Sequence, residues 1–334
     1  MSLTSGGLCL AAFALAVAPS SVPASPTGSP AATEPTSVDD SEARIRPRVT
    51  VHESLRSGQG LIYALSISVP QGQPPRGGFP VIYVLDGDAW FETAVQVARV
   101  HEWSRLPPAI IVGVGYPGGA FFDAPRRSYD LTPPGAVDAD FDGVKTGGAD
   151  HFLAFLDTVA KPWVREHYPV NNRREFLFGH SLGGLFVLYA AYVAPRSFAA
   201  YAAASPDTHF GNDALLGIER RESRRHQWTA VPLLITDGEF ESRPPVAQRE
   251  DYRRYWQEHP QELGGQSIDA ALAATFPPFR RPLKSVAHRQ LAERLAKAGM
   301  RTRFVEFPGQ EHTPSAIDAL NSAIPFFLRQ QPRP

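Results

Sequence analysis

The residue types able to do chemistry centre on Ser181, in the stretch EFLFGHSLGG of residues 175–184. A serine with glycines two positions before and two after it, set between a short apolar strand and a helix, has the spacing of a nucleophile elbow. Phe176, Leu177 and Phe178 supply the strand. Leu185, Phe186, Leu188, Tyr189 and Tyr192 continue at helical spacing, with no breaker before Pro195. A side chain at Gly179 or Gly183 is expected to collide with the neighbouring helix or strand, which glycine avoids. A serine hydroxyl barely ionises at neutral pH, so Ser181 needs a base within hydrogen-bond reach and a third group to orient that base. In sheets that carry such an elbow, the order along the chain is serine, acid, histidine.

Of the ten histidines, His312 fits that order. It lies in PGQEHTP, after the strand TRFVEFPG and before the last helix, where a strand's carboxyl end places a loop at the site. His180, beside the serine, is expected to shape the pocket wall. His209 follows Ser205-Pro206 at the end of another strand and is a second wall candidate. The remaining seven, His288 among them, fall on strands, helices or polar insertions, where a solvated or structural role is the default. The acid is open among Asp237, Glu239 and Glu241, which follow VPLLIT; Glu241 is far enough round the turn to reach towards His312 and is preferred. Acyl transfer also needs oxyanion donors, expected from the N–H of Leu182 and the N–H of Asp88 just after VIYVL. The Asp88 carboxylate is expected to turn away. Tyr116, Phe121, Phe122 and Tyr129 would give the pocket an aromatic wall.

The elements that hold these groups alternate. Residues 48–55 and 61–69 read as a hairpin across Ser57-Gly58-Gln59-Gly60. PVIYVLDG and AIIVGVGY are continuous apolar runs, as in strands buried on both faces, with a helix over residues 90–103 between them. Phe152, Phe155, Leu156, Val159, Trp163 and Val164 mark a helix kinked at Pro162. AAYAAASP, VPLLITDGE and TRFVEFPG are further strands, and a helix over 283–298 is closed by Gly299. Residues 314–328 read as a final helix interrupted near Pro325. The alternation predicts an α/β fold with a mostly parallel central sheet flanked by helices. The arginine-rich stretch over about 242–281 breaks the pattern and is expected to be an insertion, a lid over the site.

The 334 residues are 43% hydrophobic and 20% charged, which suits one globular domain with a large core or two small ones. A net charge of −1 points to neither nucleic acid nor an anionic membrane as a partner. The single cysteine, Cys9, provides neither a disulfide framework nor a thiolate metal site to the folded part, and no metal or organic cofactor is implied. The apolar run over 8–18 is too short to span a bilayer. Residues 1–24 read as a secretory signal with Val22-Pro23-Ala24 as a small-residue cleavage site, although no Lys or Arg precedes the run. Leu8 before Cys9 argues against a lipoprotein site. Residues 25–43 form a Pro/Ser/Thr/Ala tether, and 44–331 form the domain. The protein is therefore expected to be periplasmic or secreted, with no stable membrane insertion.

YVLDGDAWF, IIVGVGY followed by RRSYDLTP, GHSLGGLFVLY, the Ser205-Pro206 strand end, GEFE and the closing PGQEHTP occur in this order. Over residues 49–328 the chain resembles the α/β-hydrolase serine esterases of the esterase D type, and among them most the periplasmic siderophore esterases that cleave catecholate trilactones. The resemblance implies an α/β-hydrolase fold opened by an antiparallel hairpin, with Ser181 as nucleophile and His312 as base. It places Arg127, in the R-x-Y-D position, against an acidic aromatic substrate; the alternative is a pairing with Asp123 or Asp130 that holds the loop. Some such esterases work as a serine and histidine dyad, which leaves Glu241 open. The implied activity is carboxylic-ester hydrolysis through an acyl-enzyme, on a small ester such as a ferric or iron-free siderophore. An acyltransferase, a carbohydrate or feruloyl esterase, and a binding protein without turnover stay open on the same scaffold. Asp207-Thr208-His209 matches no pattern.

Overall fold

The computed structural model describes residues 48–331, apart from 142, 226, 227, 229, 243, 244 and 276–285. The compact unit runs from Ala43 to Pro334. The expected signal and tether lie outside the described residues.

Eight strands follow in chain order: β1 (Arg48–Arg56), β2 (Ile62–Pro70), β3 (Phe79–Leu85), β4 (Ile110–Gly115), β5 (Val170–His180), β6 (Ala200–Ala204), β7 (Pro232–Gly238) and β8 (Arg301–Phe307). They form one sheet in the order β1-β2-β4-β3-β5-β6-β7-β8. The hairpin pairs Arg48 with Pro70 through Arg56 with Ile62, antiparallel, and β2 pairs antiparallel with β4; the other neighbours are parallel. Every residue of β3, β4, β6 and β7 is buried, which explains their unbroken apolar sequences.

The helices are α1 (Gly87–Trp103), α2 (Ala124–Asp130), α3 (Ala149–Phe155), α4 (Lys161–His167), α5 (Leu182–Val193), α6 (Phe210–Arg225), α7 (Pro245–Glu258), α8 (Ile268–Thr275), α9 (Val286–Lys297) and α10 (Ser315–Leu328). On one face of the sheet, Trp90 and Ala94 of α1 and Leu320, Ile324 and Phe327 of α10 pack on Ile82, Val84, Phe176 and Phe178. On the other, Phe152, Val164, Phe186, Leu188, Leu215 and Leu291 cover Tyr83, Leu85, Leu177, Leu233 and Ile235. Odd and even strand positions thus feed opposite cores. The strands that follow β3 and its neighbour β5 lie on opposite sides, and α1 and α5 leave to opposite faces. A crevice therefore opens at the carboxyl ends of β3 and β5.

The expected kink at Pro162 is a π-helical stretch, Leu156–Ala160, with the proline in the first turn of α4, where its missing N–H costs nothing. The interruption expected at Pro325 does not occur: α10 runs through it. Proline removes the N–H that Asn321 O would accept, and His101 Nε2 approaches that oxygen instead at 3.2 Å. Two elements escape the apolar pattern. The short α2 carries two arginines, and the charged end RRESRR of α6 conceals a buried side made by Leu215, Ile218, Glu219 and Glu222. The expected insertion contains α7 and α8. The ninth helix begins at Val286; residues 283–285, assigned to it from sequence, lie outside the described residues.

Candidate active site

Ser181 ends the run of β5 and adopts φ 60°, ψ −119°, a conformation that side chains disfavour and that persists only when the surroundings impose it. Those surroundings are visible. The Ser181 N–H donates to Ala204 O at 3.0 Å, and its carbonyl accepts from Leu185 N at 2.9 Å and Asp207 N at 3.1 Å. Asp86 and Ser205, at the ends of β3 and β6, also have positive φ, 50° and 43°. Backbone strain is concentrated at this rim of the sheet. A Cβ on Gly179 would lie 2.4 Å from Gly183 O, and one on Gly184 2.7 Å from Ala204 O. At Gly183 the approach is looser, 3.3 Å from Asp86 Oδ2, so the second close contact falls one residue later than the sequence predicts. Gly179→Ala is expected to destabilise the fold by roughly 2–3 kcal/mol, measured as a lower denaturation midpoint at unchanged slope.

At the far side of the crevice, His312 Nδ1 donates to Glu241 Oε2 at 2.5 Å. Glu241 Oε1 accepts from Gly238 N at 2.9 Å and Ser205 Oγ at 2.7 Å. Burial opposes the charge on Glu241, yet the His312 hydrogen bond and charge outweigh it and hold this carboxyl well below its usual range. Burial likewise disfavours the His312 cation, and the Glu241 bond and charge reverse that, raising the imidazole above its ordinary value. With Nδ1 committed to Glu241, Nε2 is the nitrogen left to accept a proton.

The other two acids are engaged elsewhere. Asp237 Oδ2 accepts from His288 Nδ1 at 2.9 Å, while His288 Nε2 meets Thr208 Oγ1 at 3.2 Å. Glu239 Oε2 accepts from Gly309 N at 2.7 Å. Of the three carboxylates left open by the sequence, Glu241 is the one bonded to His312. The unmatched stretch after β6 is local fastening: Asp207 holds the Ser181 carbonyl, Thr208 meets His288, and His209 Nδ1 bonds Asp213 Oδ1 at 2.7 Å. His209 is thus tied to the start of α6. Two hydroxyls that sequence reading missed complete the rim. Ser205 stands in the Ser205-Pro206 block without a role assigned from sequence, and Ser315 has no motif to mark it, since serines at a strand end and a helix start are common.

His180 also departs from its expected place. It is 2% exposed, and its Nε2 lies 2.8 Å from His312 O, so it faces the loop of the base and not the pocket wall. The Ser181 hydroxyl makes no hydrogen bond among the described residues.

Leu182 and Asp88 sit in the first turns of α5 and α1, where helical N–H groups have no intrahelical acceptor. Asp88 Oδ2 accepts from Tyr116 N at 3.0 Å, which engages the carboxylate with the end of β4. Arg127 contacts neither of the acids proposed for it. Its Nε and Nη2 grip Asp86 Oδ1 and Oδ2 at 2.9 and 3.0 Å, while Asp123 accepts from Arg126 N and Asp130 pairs with Arg126. Burial opposes the Arg127 charge, but the Asp86 hydrogen bonds and charge outweigh it. A fork-to-fork pair satisfies both groups and cancels a carboxylate close to the elbow glycines. Tyr116 is buried, beneath the Arg126 guanidinium, and offers little surface to a ligand. Phe121 is 57% exposed and packs edge-on against Phe122 and Trp90.

The Esterase family, described as "Putative esterase", matches residues 62–326, which include every group placed above. The chain is 37% identical to the siderophore triacetylfusarinine C esterase of Aspergillus fumigatus over 57% of its own length and 68% of that protein's. It is 28% identical to the ferri-bacillibactin esterase BesA of Bacillus subtilis over 89% of its own length and 95% of that protein's. The solved siderophore hydrolase EstA from Aspergillus nidulans superposes with a TM-score of 0.65 at 27% identity, covering 89% of this chain and 98% of that one. A match across most of the chain, over this sheet and this elbow, makes the protein a member of the esterase family with an α/β-hydrolase fold, a hydrolase of carboxylic esters.

Proposed function

We propose that the protein hydrolyses siderophore esters through an acyl-enzyme on Ser181. His312 Nε2 takes the Ser181 proton as the oxygen attacks the ester carbonyl, and Glu241 stabilises the imidazolium that forms. The N–H groups of Leu182 and Asp88 receive the oxyanion. His312 then protonates the leaving alkoxide and activates water to release the acid. The observation that carries this reading is the Glu241–His312 hydrogen bond at the same sheet rim as the strained elbow serine. The relatives above support the substrate, since two of the three are named for siderophores and the third for ferri-bacillibactin, and the exposed Phe121 ring suits an aromatic group. Export to the periplasm or medium accords with the apolar run over residues 8–18; among the described residues no helix is long and apolar enough to cross a membrane.

The test is a rate comparison of the purified protein on iron-loaded and iron-free siderophore esters, feruloyl esters, acetylated sugars and short acyl thioesters. Siderophore esters are expected to show a kcat/KM at least about tenfold above the rest, a margin of about 1.4 kcal/mol in transition-state binding. Faster turnover of acetylated sugars or feruloyl esters would replace the substrate assignment.

A further inference from the structure

Glycine, histidine and serine stand side by side at the elbow, and the middle residue has no part in the mechanism above. Its surroundings are nevertheless specific. The carbonyl oxygen of His312 can only accept, so the His180 nitrogen 2.8 Å away must be protonated, which fixes the tautomer with hydrogen on Nε2. The Nδ1 atom of His180 is buried without a hydrogen-bond partner among the described residues. The two imidazole centroids are 4.7 Å apart, and Trp90 meets the His180 ring edge-on at 5.5 Å. Burial, followed by the nearby charge of His312, depresses the His180 pKa to about 3, so this ring stays neutral throughout the working range and does not compete as a base.

The same carbonyl accepts a second bond, from Ser315 Oγ at 2.7 Å. Ser205 and Ser315 lie 3.0 Å apart, but each hydroxyl has one proton. Ser205 gives its proton to Glu241 and Ser315 gives its own to His312 O, which leaves none for a bond between them. The main chain of the base is therefore held at one atom by two donors, one from α10 and one from the residue adjoining the nucleophile. The His312 side chain is 46% exposed, so its loop and the Glu241 bond, more than packing around the ring, set its position.

We propose that His180 is a positioning residue: its Nε2–H ties the backbone of His312 to the strand end that carries Ser181, and so sets the separation of base and nucleophile. This rests on the mechanism proposed above and assigns a role within it. The tie acts across one peptide unit from Ser181, so loss of it displaces the base relative to the nucleophile, where shifts of about 1 Å can cost about a hundredfold in rate. Substrate affinity is set elsewhere.

The test compares His180→Phe, which keeps a ring but no donor, with His180→Gln, whose amide nitrogen can reach the same oxygen. Both are measured for kcat and KM on one ester, with melting temperature as a check of folding. His180→Phe is expected to lower kcat about 10- to 100-fold with KM changed less than about twofold, and His180→Gln to recover most of that loss. Should His180→Phe keep kcat within about twofold, or should glutamine recover nothing in a protein that melts like the wild type, the tie has no positioning role. If the Phe variant does not fold, the glutamine variant decides alone: a kcat below a tenth of the wild-type value in a normally melting protein overturns the proposal, and a kcat above that supports it. Wild-type protein without Ser181-dependent ester turnover would instead overturn the mechanism on which the proposal stands.

Discussion

Ser181→Ala is expected to lower kcat/KM for a p-nitrophenyl acyl ester by about 10⁴-fold or more, the range seen when a catalytic nucleophile is removed from a working triad. The same change should leave stability within about 1 kcal/mol of wild type. Alanine has the same Cβ as serine, so the strain at φ 60° is unaltered, and the hydroxyl has no hydrogen bond among the described residues to lose. The two outcomes are read on one sample: hydrolysis rate and denaturant midpoint. Labelling with a fluorophosphonate should disappear in step with the activity. A variant that keeps a tenth of the wild-type rate would remove Ser181 from the mechanism.

Glu241→Gln is the second large effect. Glutamine can keep its oxygen towards Gly238 N–H and Ser205 Oγ–H, which presents its NH₂ group to His312 Nδ1. Two donors then face each other, and the imidazole is driven to the tautomer with hydrogen on Nε2, which cannot take the serine proton. A fall in kcat of about 10³- to 10⁴-fold is expected, comparable with the loss of the orienting carboxylate in other triads. The pH profile adds an independent readout. Catalysis needs neutral His312, so activity falls as the pH drops through the histidine's pKa. In the wild type Glu241 raises that pKa, and the acidic limb of kcat/KM should lie above about 6.5, the value of an unperturbed histidine. Without the carboxylate that raises it, the His312 pKa should fall, so the residual activity should extend to lower pH. A limb that stays in place would mean that Glu241 does not govern the base.

The strands and the elbow were legible because each is a local pattern: a continuous apolar run for a strand covered on both faces, and two glycines around a serine for the turn. The His312 position was legible for a topological reason, since a base must follow the acid's strand at the same sheet edge. What escaped was pairing over distance. Arg127 has two acids close by in sequence, Asp123 and Asp130, while its partner, Asp86, is 41 residues away at a strand end; nothing local points to it. His180 was read as a wall because its neighbour is the nucleophile, while its hydrogen bond is to a residue 132 positions on. The uninterrupted α10 escaped for the same reason, because the group that compensates for Pro325 is His101, on α1. Among Asp237, Glu239 and Glu241 the spacing favoured Glu241; the bonds that His288 and Gly309 make to the other two are equally distant in sequence and equally unmarked.

The order of strands has a further consequence for biosynthesis. The Glu241–His312 bond closes a span of 71 residues, and the base follows β8, the outermost strand beyond β7. A ribosome-bound chain that has released residues up to β6 could already shape the turn around its serine while lacking any group able to deprotonate it. On the mechanism proposed above, chemical competence arrives with the closing strand, so a partly synthesised or C-terminally clipped molecule is expected to be inert towards esters around it.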